Sequence, residues 1–245
     1  MSDSQPNEPN PFTSRRFILA AVIVGVVLLC AVVLVISSVL GSQAKPTAGP
    51  TGHPTNPPSS SSVSEADRST CGLPGLERSG TLTQAPNSKW ELVGTVAAPT
   101  DPKGAGPGNV ESSGFRSCFA HTTTGAVYAA ANIIAMGSDS SLRHEVSDKL
   151  VVPGPGRDAA LASAGSTSDT TVRYQIAGFR LLSYDGSHAK VDIAVNAATG
   201  QLVSFVESLE WNDGDWKVTL DKTGNMPIPP SPLQSLGGYI PWSGA

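Results

Sequence analysis

Residues 171–220 read TVRYQIAGFRLLSYDGSHAKVDIAVNAATGQLVSFVESLEWNDGDWKVTL. Four runs rich in β-branched and aromatic residues are separated by breaks at Asp185-Gly186, Ala198-Thr199-Gly200 and Asp213-Gly214. Breaks this short join antiparallel neighbours, so the stretch predicts a four-stranded antiparallel sheet. Val191, Ile193 and Val195 alternate with polar positions, which predicts one buried face and one wetted face. In LEWNDGDWKV, Leu209 to Val218, a two-residue turn at Asp213-Gly214 pairs Asn212 with Asp215. Trp211 then lies opposite Trp216, on the face shared by Leu209 and Val218, and the two rings read as a structural core pair. The carboxylates of Asp213 and Asp215 read as parts of the turn. A calcium loop needs several more oxygen ligands at regular spacing, and none stands nearby.

Upstream of these strands the pattern changes to helix. TGAVYAAANIIAM, Thr124 to Met136, is Ala-rich, has Thr122 to Thr124 available as caps and stops at Gly137. Val127, Ala130, Ala131 and Ile134 recur at helical spacing, which predicts one apolar face packed on the sheet. Shorter helices are expected over Ser140 to Leu150 and Arg157 to Ala164, with VVPGPG between them. Between Cys71 and Cys118, Trp90-x-Leu92-Val93 alternates enough for one short strand, while the Gly/Pro runs deny further regular structure. GAGPG, Gly104 to Gly108, is not a phosphate loop, because no Lys-Ser/Thr follows it.

The N-terminal quarter is of another kind. Residues 1–16 are polar and Pro-rich and read as a disordered cytoplasmic tail. Phe17 to Leu40 carries no charge and exceeds the roughly 20 apolar residues that a helix needs to cross a bilayer. The span is too long and too apolar for a cleaved signal peptide, although Ser42-x-Ala44 resembles a cleavage site. Faint likenesses to a twin-arginine signal at Ser14 to Leu19 and to a lipoprotein box ending at Cys30 fit less well. Arg15 and Arg16 precede the span and only Lys45 follows closely, so the N-terminus is expected in the cytoplasm and the C-terminal part outside. Residues 41–69 form a Pro/Ser/Gly linker, an extended spacer, and residues 70–245 an extracytoplasmic α+β domain. The partner that follows is the lipid bilayer, and beyond it other envelope proteins or a second copy of the chain.

Cys71 and Cys118 both fall in the exported part, and an even count there predicts a disulfide, with two buried thiols as the plainer alternative. A formal net charge of −4 with scattered Lys and Arg gives no basic face for nucleic acid. Nucleophile and zinc motifs are absent, so no catalytic residue, cofactor-binding residue, metal ligand or cofactor is assigned. His121 precedes a helix and reads as a cap or loop residue, while His144 and His188 read as exposed. His188 and Asp192 sit an even number of residues apart and form a weak acid–base candidate. Arg157-Asp158 suits a helix start. The last residues, PIPPSPLQSLGGYIPWSGA, carry Tyr239, Ile240 and Trp242. They either dock on their own domain or present an interaction surface.

Helices followed by an antiparallel meander that ends in a W-x-D/N-G-x-W-x-V hairpin resemble the nuclear transport factor two-like fold. On that resemblance the domain is an α+β cone, with helices packed on a curved four-stranded antiparallel sheet. With a tail, one span and an exported domain, the layout also resembles the bitopic scaffold components of type IV secretion and conjugation machines. CGLPG at Cys71 to Gly75, GFRSCFAHTTTGAVYAAANI and the terminal GYIPWSGA resemble an uncharacterised actinobacterial membrane-protein family linked to conjugative elements. The expectation is a non-enzymatic scaffold working through surfaces. The alternative is a small-molecule-binding protein or an isomerase- or cyclase-like enzyme, and the domain's interior discriminates between them.

Overall fold

The computed structural model describes residues 64–165 and 173–244. The chain divides into Met1–Ser59 and Ser60–Ala245. The first unit lies wholly outside the described residues, and with it the expected tail, the span Phe17 to Leu40 and much of the linker. Among the described residues no helix is long and apolar enough to cross a membrane.

The second unit is built on an antiparallel meander of β5 (Tyr174–Tyr184), β6 (His188–Ala197), β7 (Leu202–Asn212) and β8 (Asp215–Val218). These are the four expected runs. Trp211 pairs with Trp216 and Asn212 with Asp215, as the two-residue turn requires. Asp213 and Gly214 have φ of 52° and 75°, so both turn residues are left-handed and the hairpin twist is matched.

The sheet nonetheless has six strands, not four. Short β9 (Ser231–Leu233) pairs with β7, and β10 (Ile240–Pro241) pairs with β5. Both lie in the Pro-rich C-terminal segment, where a missing amide hides a short edge strand from pattern reading. Two further sheets are two-stranded, β1 (Lys89–Val93) with β2 (Val96–Thr100) and β3 (Asn109–Val110) with β4 (Arg116–Ser117). The expected four-stranded cone of the nuclear transport factor two-like kind is corrected accordingly, since hairpins and tail strands add a layer and two edges that it lacked.

Three helices complete the described residues: α1 (Thr123–Gly137), α2 (Arg143–Lys149) and α3 (Pro155–Ala164), with a 3-10 turn at Ser140–Leu142 before α2. Thr122 caps α1 by accepting from the Gly125 amide at 3.0 Å. Instead of one apolar face, α1 buries nearly all its residues. The β1–β2 hairpin packs on one side of it and the large sheet on another, which suits an Ala-rich helix with no charge. Asn132 donates to Pro99 O at 3.0 Å and to Tyr128 O at 2.9 Å, tying α1 to β2.

β6 is likewise buried on both faces. Val191, Ile193 and Val195 face the core, and Asp192 and Ala194 on the opposite face are buried too. The expected wet face is covered there by the C-terminal segment. Gly178 permits this, since a Cβ in its place would meet Ile240 O at 2.8 Å.

Candidate functional site

The inward row of β7 is Val203, Phe205, Glu207, Leu209 and Trp211, and four of its five members pack into the apolar core. Glu207 is the exception. It is only 4% exposed, and its Oε2 has no hydrogen-bond partner among the described residues. It lines an open cavity of about 340 Å³ bordered by Ile133 and Ile134 of α1, Val146 of α2, Ala160 of α3 and Phe205 and Val218 of the sheet. A pocket of this size with few polar groups is typical of a small-molecule site.

Burial holds the Glu207 carboxyl well above the ordinary carboxylate range. When protonated, it can donate one hydrogen bond and accept another. Tyr174 lines the same cavity, but its hydroxyl donates to Ile134 O at 2.5 Å. Its phenol is pushed up by burial first and by the neighbouring Glu207 second. Arg143 of α2 is the other ionisable lining residue. Among the described residues no group of three or more His, Cys, Asp or Glu is placed to hold a metal.

Cys71 and Cys118 form a disulfide, with Cα atoms 6.1 Å apart. Trp211 and Trp216 meet edge to face at 5.3 Å. Trp216 is fully buried and its Nε1 donates to Ala120 O at 3.0 Å. Trp211 is half-buried. Its Nε1 donates to Ala66 O at 2.8 Å and its ring stacks on His121 at 3.9 Å.

Asp215 is no mere turn residue. Its buried carboxylate accepts the amides of Cys118 at 2.6 Å, Phe119 at 2.9 Å and its own Trp216 at 2.9 Å. Burial lifts it to about 6 against the opposing pull of those donors. It fixes the disulfide loop, and Cys118 sits there with φ of 65°.

Tyr239, Ile240 and Trp242 dock on their own domain. Tyr239 donates its hydroxyl to Asp192 Oδ2 at 2.7 Å, Ile240 pairs with Phe179, and Trp242 packs against Phe179, Tyr128 and Trp90. His188 and Asp192 do not meet. His188 is exposed and 3.5 Å from Asp185, whereas Asp192 is buried between Arg180, Ser204 and Tyr239. His144 is exposed, and Arg157 pairs with Asp148. His121 is buried, its ring nitrogens against Asp67 O at 2.8 Å and Gly186 O at 2.5 Å.

Motif searching missed Glu207, although its signal is present in VSFVESLEW, where an acid occupies an inward position of an alternating strand.

No curated protein and no solved structure matches the chain. The model of the family described as Domain of unknown function (DUF8175) matches residues 52–241, most of the chain, and the protein belongs to that family.

Proposed function

We propose that the protein is a single-pass envelope protein whose exported domain binds a small, largely apolar molecule in the cavity beneath α1. The observation that carries this reading is Glu207, a buried carboxyl whose Oε2 has no hydrogen-bond partner among the described residues, on a largely apolar wall that Arg143 and Tyr174 also line. An unpaired buried acid costs a domain stability, and such costs concentrate at sites that bind something. The Cys71–Cys118 bond supports an oxidising compartment, and the uncharged run from Phe17 to Leu40 supports the tether. Binding rather than turnover is the proposed activity.

The test is photolabelling of the full-length protein in lipid vesicles with an alkyl diazirine, mapped by peptide mass spectrometry. Labelling is expected on the peptides of Ile133 and Phe205 and is lost in Ala164→Trp, which fills the cavity rim. Label confined to Phe17–Leu40 would remove the reading.

A second reading, a scaffold within an envelope transfer complex, draws on β1. Leu92 is 75% exposed there, on a strand paired only on its β2 side among the described residues. A photocrosslinker at residue 92 that yields no adduct in the native envelope would count against it.

A further inference from the structure

Residues 64–71 form a strap across the β7–β8 turn, ending at the disulfide. Of these residues only Ser69 is buried, so the strap is held by polar contacts rather than by packing. The Thr70 amide donates to Gly214 O at 2.9 Å, Trp211 Nε1 donates to Ala66 O at 2.8 Å, and the His121 ring meets Asp67 O.

That ring stands between two acceptors. Nδ1 is 2.8 Å from Asp67 O on the strap, and Nε2 is 2.5 Å from Gly186 O in the β5–β6 turn. A neutral imidazole carries one N–H, and a carbonyl oxygen can only accept. In the neutral ring one contact therefore sets a lone pair against a lone pair, and both are hydrogen bonds only in the imidazolium. The indole of Trp211, stacked on the ring at 3.9 Å, offers its π face to the charge. Burial opposes a charge there, and two charge-assisted hydrogen bonds answer it. The charged groups on the surrounding elements are Glu65, Asp67 and Arg68 of the strap, Glu77 and Arg78 after it, Asp185 and His188 of the β5–β6 turn, and Asp213, Asp215 and Lys217 of the β7–β8 hairpin. Carboxylates outnumber cations among them.

We propose that His121 is a proton-dependent clamp on the strap, closed when both ring nitrogens carry protons and loosened when one proton leaves. Gly186 is held in place by the long strands on either side of it, whereas Asp67 lies on a strap with few other contacts, so the strap yields first. The Cys71–Cys118 bond bounds the release, and residues 64–70 then lengthen the linker.

The test uses the full-length protein in lipid nanodiscs. In a form whose other histidines, His53, His144 and His188, are replaced by Gln, ring 15N shifts report His121 alone. At pH 7.5, where a histidine of ordinary basicity is roughly nine-tenths neutral, both nitrogens are expected to be protonated. A lone-pair nitrogen at that pH overturns the inference. Trypsin cleavage after Arg68, scored by the new terminus at Ser69 and normalised to a free peptide of residues 64–72, reads the open population of the strap. It is expected to rise about tenfold or more between pH 7 and pH 9 in the wild-type protein, as loss of a bound proton requires. In His121→Gln, which retains Asp215 and the other carboxylates, the strap is expected to be open at both values with little change. A wild-type rate that stays flat, or one that rises equally in His121→Gln, also overturns the inference, and the nitrogen shifts decide it even where that variant fails to fold.

Discussion

Trp216 and Glu207 occupy inward positions on neighbouring strands and make opposite contributions. Trp216 fills the space between α1 and the sheet and satisfies its one donor on Ala120 O. Trp216→Ala is expected to destabilise the domain by about 3–5 kcal/mol, read from denaturant unfolding. An unchanged midpoint would show that the ring carries no packing. Glu207 places a polar group where an apolar one would pack, so Glu207→Leu is expected to stabilise the fold by about 1–3 kcal/mol in the same measurement. The pH dependence has a definite sign. The unfolded carboxyl releases its proton near 4.5, while the folded one retains it to a much higher pH. Between those points the folded state binds more protons, so its stability falls as pH rises. Asp215, lifted from 3.8 to about 6, acts in the same direction over a lower window. The melting temperature of Glu207→Gln should therefore exceed that of the wild-type protein by a margin that widens with rising pH. A constant margin would mean that Glu207 does not titrate within the domain.

The four long strands and the three helices were legible from period and turn chemistry, because each is specified by its own residues. The elements missed are of two kinds, the local hairpin strands β2, β3 and β4 hidden among glycines and prolines, and the edge strands made by distant partners. Edge strands β9 and β10 exist because β7 and β5 offer open edges, and no local pattern marks Ser231–Leu233 or Ile240–Pro241 as strand. The all-round burial of α1 follows from the hairpin laid across it, which the glycine- and proline-rich sequence between the cysteines concealed. Glu207 was overlooked for a related reason: its strand position was readable, but the cavity it faces is assembled from three helices and the sheet. The segment from Cys71 to Cys118 is the element most dependent on a covalent tie. It closes across 47 positions, and Asp215 receives the amides at its far end. Constraining a loop of that length contributes roughly 2–4 kcal/mol. A paired Cys71→Ser and Cys118→Ser variant should lose that amount in thermal unfolding, and a reductant should lower the wild-type melting point in parallel. Equal melting of oxidised and reduced protein would remove the staple.

At the scale of the whole chain, the disulfide and the uncharged segment make one linked prediction. Cytosolic thiols are held reduced, so a Cys71–Cys118 bond persists only if the domain reaches an oxidising compartment. On the proposed envelope reading, Phe17 to Leu40, with Arg15 and Arg16 before it, is the feature that would send the domain there. Deleting residues 17–40 should therefore change the chemistry of residues far from the deletion. In cells expressing the full-length chain, rapid alkylation before lysis should leave the peptides of Cys71 and Cys118 unmodified until a reductant is added. In cells expressing the deletion variant, the same peptides should carry the alkyl group directly, and the purified domain should melt lower by the disulfide's contribution. Cys30 lies within the deleted span, so reading Cys71 and Cys118 on their own peptides keeps the two effects separate. Direct alkylation of both cysteines in the full-length chain would place the domain in a reducing compartment, whatever ligand its cavity holds.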